Sequence, residues 1–352
     1  MSIENRIKAF TLLGAFLNQF SREKIKRKDT ILYNDLFFNA FKMQIKRAKE
    51  FNAWFTEDNV LFAIESWSNL LTKDNLNRWI SAYTISNKTP KNIAVIMAGN
   101  IPLVGFHDFL TTLISGHNLI VKQSSNDKHF LPLIGKYLEH LNSEFKGKIN
   151  FTDKKLENFD AVIATGSNNT ARYFDYYFGK YPHIIRQNRN AIAVITGKET
   201  KKELENLGDD IFRYFGLGCR SVAKLFLPKD YDFKHFFGAI FKFNMIIEYQ
   251  KYENNYTYNK AVYLMSLFKL QENGFLMLKE DTSYSSPIAT LFYEYYDDLE
   301  NLKIKLDTEK DQIQVIVSNE NIKGAVQFGE TQNPQLWEYA DGVDTMEFLL
   351  NL

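Results

Sequence analysis

Cys219 is the residue in this sequence best suited to covalent chemistry. It stands in FGLGCRS, with Gly216 and Gly218 before it and Arg220 and Ser221 after it. Glycines beside a nucleophile let the backbone turn sharply and leave the sulfur accessible, while neighbouring N–H groups can stabilise a thiolate or an oxyanion. The opposing reading is an inert thiol, because free cysteine usually behaves as a small hydrophobe. The stretch also mimics part of a dinucleotide fingerprint. Ser221 stands where the third glycine belongs and a strand-like run follows, so that match is discarded. Arg220 could lower the thiol pKa through its charge, or point instead to solvent or a structural partner. As the only cysteine, Cys219 excludes an intramolecular disulfide and a cysteine-based zinc cage. The six histidines, His107, His117, His129, His140, His183 and His235, lack the close spacings of a catalytic metal site, and no metal is expected.

A strand–helix alternation must position this cysteine. The first ninety or so residues carry apolar side chains at helical spacing, such as Leu36, Phe37, Ala40, Phe41 and Ile45, then Leu61, Ile64, Trp67 and Leu71, and predict a helical preamble. From Lys91 the texture changes: Ile93–Met97 reads as a buried strand, Pro102–Ser115 as a helix and Leu119–Val121 as a second strand. A helix over 128–145, a strand at Ala161–Ile163 and a turn at Gly166 and Ser167 before another helix continue the alternation expected of a parallel sheet. Ala191–Ile195 then predicts a strand, Glu199–Phe215 a helix running up to Cys219, and Val222–Leu227 a strand. Phe233–Phe243 reads as a helix, and Phe275–Leu278, Ile288–Tyr293 and Ile313–Val317 as later strands. The fold class is therefore α/β. The expected organisation is 1–190 for the helices and first α/β domain, 191–325 for a second α/β domain carrying the cysteine, and 326–352 for a segment packing on a domain or a neighbouring subunit.

Composition sets outer limits. At 352 residues and 45% hydrophobic the chain suits two intimately packed domains better than one. With 43 Lys plus Arg against 42 Asp plus Glu, there is no electrostatic reason to expect nucleic acid as a partner. No run reaches membrane-spanning length and Met1–Phe20 lacks a signal-peptide core, so a soluble, cytoplasmic protein is expected. The 30 Phe and 19 Tyr could line an acyl tunnel or simply fill cores.

Three further segments, followed by the Cys219 stretch, resemble in this order the aldehyde dehydrogenase superfamily. GNIPLVGFHD, Gly99–Asp108, looks like its Asn-x-Pro turn; the resemblance makes Asn100 the amide donor to the substrate oxyanion. SGHNLIVKQSS, Ser115–Ser125, is similar to its Gly-Asn-x-x-x-x-Lys-Pro-Ser strand, which puts Lys122 at the cofactor's adenosine ribose. ATGSNNTARYF, Ala164–Phe174, resembles the Thr-Gly-Ser turn beneath the cofactor, with Gly166 and Ser167 matching, and Cys219 falls on the catalytic cysteine. Within the superfamily, GCRSVAKLFLPKDYD together with the ending YADGVDTMEFL resembles the long-chain fatty acyl-CoA reductases of the LuxC type over nearly the whole chain.

The departures refine what this resemblance implies. The family's water-activating glutamate is replaced: IRQNRN puts Ile185 there, and an apolar side chain cannot be a general base. Its nicotinamide-ribose glutamate aligns with Ser283 in SYSSP, with Glu280 three residues earlier, and neither is assigned that role. Where NAD-preferring relatives carry an acid near the adenosine ribose, this chain has Ser125. Loss of that acid relieves repulsion against a 2′-phosphate, with Lys122 adding positive charge, and implies NADPH. The implied activity is reduction of an acyl-CoA or acyl-carrier thioester to the aldehyde through a thioacyl-enzyme on Cys219, by a homo-oligomer. Two alternatives stay open: a CoA-acylating dehydrogenase for a short or carrier-bound acyl group, and a silent binding protein of the same fold.

Overall fold

Side-chain caps and apolar stripes account for the opening helices of the computed structural model, which describes residues 1–85 and 89–352. Ser2 accepts the Asn5 N–H to start α1 (Ile3–Leu17), whose Phe10, Leu13, Phe16 and Leu17 are buried. The helix α2 (Asn34–Phe51) buries Phe37, Phe38, Phe41 and Ile45, one helical face. Thr56 and Thr72 cap α3 (Glu57–Leu70) and α4 (Lys73–Ile80) in the same way as Ser2. These helices share one core with the strands and helices that follow.

The alternation after Lys91 builds a parallel sheet. Its elements are β1 (Asn92–Ile96), α5 (Phe106–Ser115), β2 (Asn118–Lys122), α6 (Phe130–Leu141), β3 (Ile149–Phe151), β4 (Ala161–Thr165), α7 (Asn168–Phe178) and β5 (His183–Arg186). The five strands run in the order β3-β2-β1-β4-β5, and every neighbouring pair is parallel. Ile93, Ala94 and Val95 are fully buried, as a central strand covered on both faces requires. Register aligns Lys122, Ile96, Ala164 and Ile185 in one row close to the carboxyl edge. The expected helix from Pro102 starts only at Phe106, because Leu103 adopts a left-handed φ of 58° and gives its N–H to the Asp127 carboxylate at 2.8 Å. The helix expected over 128–145 ends at Leu141; Asn142 then caps a separate short turn, Ser143–Phe145.

A second sheet lies between residues 188 and 334, which cluster as their own compact unit. It contains β6 (Asn190–Val194), α8 (Lys201–Phe212), β7 (Val222–Pro228), α9 (Phe233–Ile240), α10 (Gln250–Met265), β8 (Leu270–Glu272), β9 (Met277–Glu280), β10 (Thr290–Tyr296), α11 (Leu299–Thr308), β11 (Ile313–Val317) and β12 (Ala325–Val326). The order is β12-β11-β6-β7-β10-β9-β8, and only the β8–β9 pair is antiparallel. A capping box between Thr200 and Glu203 fixes the start of α8. That helix stops at Phe212 rather than Phe215, because Tyr214, Phe215 and Gly216 all take positive φ.

The final helix, α12 (Thr345–Leu350), belongs with the first unit, which comprises residues 1–187 and 335–352. The segment 326–352 is thus divided at Pro334. Leu336, Met346 and Leu349 enter the core of the first unit. Trp79 donates to the Tyr339 hydroxyl at 2.7 Å, and Tyr83 donates to Asp344 at 2.6 Å. Among the described residues no helix is long and apolar enough to cross a membrane.

Candidate functional site

The carboxyl edge of the first sheet collects the residues singled out in that half of the sequence. Asn100 follows β1 and is exposed, Lys122 ends β2, Ser125 lies exposed in the turn after it, and Gly166 and Ser167 follow β4. In an open parallel sheet the carboxyl ends, near the point where strand order reverses, are where ligands bind. Here that reversal falls between β1 and β4. Ser167 caps α7, its hydroxyl accepting the Thr170 N–H at 3.3 Å, so a helix N-terminus opens beside this edge. A side chain on Gly166 would come within 3.0 Å of Thr170 and Phe174, so only glycine keeps that turn compact. The Lys122 ammonium reaches the Lys154 carbonyl at 3.4 Å, a weak contact.

The loop bearing Asn100 is locked to the loop bearing Ser125. A Cβ on Gly99 would lie 2.5 Å from the Ser124 side chain, so the two loops touch through that glycine. Asn52 donates to the Gly99 carbonyl at 3.3 Å, and buried Asp127 takes the Leu103 N–H. Burial pushes the Asp127 carboxyl up to about 7, against the lowering effect of that N–H. Asp127 was not singled out in the sequence; its only signal is an acid inside an otherwise polar turn.

Ile185 lies in β5, partly buried and packed with Ile96, Phe174 and Phe178 against the small cluster of Ala94, Leu156, Val162 and Ala164. Its neighbour Arg186 turns to the other side of the strand, pairing with both oxygens of Asp108, one contact at 2.8 Å, and donating to Thr345 at 2.9 Å. All three residues are buried. Three of the segments singled out in the sequence, GFHD, IRQNRN and YADGVDTMEFL, therefore meet in one structural cluster.

In the second unit, Cys219 occupies a turn closed by the Ser221 N–H on the Gly218 carbonyl at 2.9 Å, immediately before β7. The thiol is partly exposed. A braced frame holds the turn. Asp210 of α8 accepts the N–H groups of Gly329 and Thr331 at 2.7 and 3.0 Å and the Thr331 hydroxyl at 2.8 Å. Arg220 Nε donates to the Thr331 carbonyl, and Gln332 reaches the Ser221 hydroxyl at 3.4 Å. Of the roles open to Arg220, a structural partner is the one the geometry displays. Burial lifts the Asp210 carboxyl to about 6 although its three donors pull it down.

The segment holding Glu280 and Ser283, both exposed, is anchored by two buried lysines. Lys224 of β7 donates to the Thr282 carbonyl at 2.7 Å and to Glu294 at 2.8 Å, while Lys279 of β9 pairs with Asp281. Phe292 stands between them in register. Burial raises the Asp281 carboxyl, but Lys279 and the Ser283 N–H outweigh it and bring it to about 2. The visible signal for these lysines was a charge inside the apolar runs VAKLFLP and FLMLKE. Among the described residues no three His, Cys, Asp or Glu side chains gather closely enough to hold a metal ion.

The model of one protein family, described as acyl-CoA reductase (LuxC), matches residues 12–237, more than half of the chain and including Asn100, Lys122 and Cys219. The chain belongs to this acyl-CoA reductase family. It is thereby an oxidoreductase of the aldehyde and acyl-CoA class. Solved aldehyde dehydrogenases share the fold. A mutant indole-3-acetaldehyde dehydrogenase from P. syringae, in complex with NAD+ and IAA, superposes with a TM-score of 0.64 at 11% identity, covering 92% of this chain and 74% of that one. Aldehyde dehydrogenase 21 from Physcomitrella patens, with its reaction product succinate, gives 0.65 at 10% identity, covering 100% and 84%. An NAD+ complex of an aldehyde dehydrogenase from Bacillus cereus gives 0.59 at 12%, covering 92% and 73%. No curated protein sequence matches significantly.

Proposed function

We propose that this family member reduces an acyl-CoA thioester, a fatty acyl group by its resemblance, to the aldehyde with NADPH, through a thioacyl-enzyme on Cys219. The observation that carries the reading is the setting of the sole cysteine: partly exposed, in a tight turn braced by Asp210, Thr331 and Arg220, within the stretch matched by the family. The thiolate attacks the acyl carbonyl and forms a C–S bond. The tetrahedral oxyanion accepts from the Cys219 N–H, a role the family resemblance extends to the amide of Asn100, and its collapse breaks the bond to CoA, which leaves as thiolate and takes a proton from solvent. A nicotinamide held by the first sheet's carboxyl edge would supply hydride chemistry at the thioester carbon. The resulting oxyanion is held by the same donors, and its collapse breaks the C–S bond, returning Cys219 as thiolate and releasing aldehyde.

The cofactor reading rests on the first sheet. The carboxyl edge, the α7 N-terminus and the compact Gly166 turn suit a dinucleotide, and two of the structural relatives bind NAD+. Lys122, Ser125, Gly166 and Ser167 are the residues that would hold it. An exposed serine in the turn after β2 leaves no carboxylate at that position to repel a 2′-phosphate. NADPH is expected to give the higher kcat/KM, and Ser125→Glu to narrow or reverse the preference. Steady-state kinetics with both nucleotides check this, and a clear NADH preference in the wild type would refute it while leaving the cysteine chemistry intact.

Asn100→Ala is expected to slow acylation of Cys219 by about a hundredfold or more, the usual size of a lost oxyanion donor. Stopped-flow acylation by acyl-CoA without reductant measures it directly. A folded variant that acylates at the wild-type rate would remove Asn100 from the mechanism. Ile185, set in an apolar cluster, offers no base to activate water, consistent with a thioacyl-enzyme that persists until NADPH is added.

A further inference from the structure

We propose that the first unit carries an anion site, at the amino ends of its strands, that takes a phosphate-type oxyanion. A cavity of about 340 Å³ opens there, lined among others by Ser2, Arg6, Pro90, His117, Lys148 and Leu350. Pro90, His117 and Lys148 lie just before β1, β2 and β3, so this is the opposite edge of the sheet from Asn100, Lys122 and Gly166.

Arg6 is the reason to expect an anion. Its residue is only 3% exposed, yet among the described residues it has no carboxylate partner. Nη1 donates to the Ile114 carbonyl at 2.5 Å and Nε to the Ser2 carbonyl at 3.3 Å. A guanidinium has five N–H groups, so the Nη2 pair is left for whatever enters the cavity. Carbonyls at the end of α5 contribute roughly half a negative charge and offset only part of the buried cation. Glu4 acts on Arg6 weakly and from an exposed position. A buried charge without a full counter-charge is costly, and a bound oxyanion relieves that cost.

The surroundings suit the same ligand. Lys148 is partly exposed and adds a second positive charge. Glu144, its acidic neighbour, is paired with the Met1 amino group at 3.2 Å. Arg6 is fixed in place, since a Cβ on Gly116 would stand 2.5 Å from Nη1. The His117 ring is committed on both sides, to the Lys91 N–H at 3.0 Å and the Leu349 carbonyl at 2.9 Å, and serves as a wall. A planar fork flanked by an ammonium matches the oxygens of a phosphate or diphosphate.

The test is calorimetric titration of the whole protein with inorganic phosphate and with pyrophosphate, at ionic strength held constant with sodium chloride. One saturable site with a millimolar or tighter Kd is expected. Arg6→Met should abolish it, and Lys148→Ala, at a partly exposed position, should weaken it about tenfold. Lys122→Ala, on the other edge, should leave the affinity unchanged. If Arg6→Met does not fold, Lys148→Ala and Lys122→Ala decide. Absence of saturable binding, binding indifferent to Lys148, or binding lost with Lys122 would each overturn the site, and none bears on Cys219.

Discussion

Replacing Cys219 with alanine is expected to abolish both covalent labelling by acyl-CoA and aldehyde production, leaving the protein folded. The turn that carries the thiol is held by bonds that do not involve sulfur: Ser221 to Gly218, Arg220 to Thr331 and Gln332 to Ser221. The substitution therefore removes the nucleophile and spares its frame, so the loss should be chemical rather than structural. Intact-mass measurement after mixing with acyl-CoA, followed by peptide mapping, should find one acyl group per wild-type chain on Cys219 and none on the variant. A label mapping elsewhere, or near-normal turnover by the variant, would end the covalent pathway. Acyl-CoAs of graded length, repeated with NADPH, separate a long-chain reductase from a dehydrogenase of short acyl groups.

The largest stability effect is expected at Asp108. Breaking a buried ion pair by removing one partner typically costs about 3–5 kcal/mol, because the remaining charge stays in a poor dielectric. Asp108→Ala would deprive Arg186 of both carboxylate contacts while the guanidinium remains buried beside Thr345. Urea unfolding should show a loss of that order. The double variant Asp108→Leu with Arg186→Met should recover most of it, since apolar replacement of both charges is often neutral or better. A loss below about 1 kcal/mol would mean that the pair behaves like a solvated surface bridge.

Legibility in the sequence differs from element to element. Strands buried on both faces, such as Ile93–Ile96 and Ala191–Val194, announce themselves as unbroken apolar runs, and both were placed within a residue or two. The strand His183–Arg186 was not anticipated, because it sits at the sheet edge and offers only two apolar residues. The helix Gln250–Met265 was missed because its apolar residues follow no single face; only Tyr252 and Tyr256 are buried. Helix boundaries differ at Pro102, where left-handed backbone at Leu103 delays the start of the helix, and at Phe215, where left-handed backbone at Tyr214 and Phe215 ahead of Gly216 ends it early. At the candidate site, the segments point to Asn100, Lys122, Gly166 and Cys219 as the residues to test. Their supports do not announce themselves: Asp127, Asp210, Thr331 and Lys224 act through contacts 24 to 121 residues apart in sequence, which no local pattern encodes.

Because residues 335–352 complete the first unit while 188–334 form the second, the order of synthesis is not the order of domains. A ribosome finishes the whole of the second unit before the first has received Leu336, Met346 and Leu349, or the Thr345 hydroxyl that meets Arg186. Until then the nascent first unit exposes the apolar surface of α5 that α12 will cover, and Tyr83 lacks its acceptor on Asp344. The first unit, although it emerges first, therefore cannot complete its core until residues 335–352 are made.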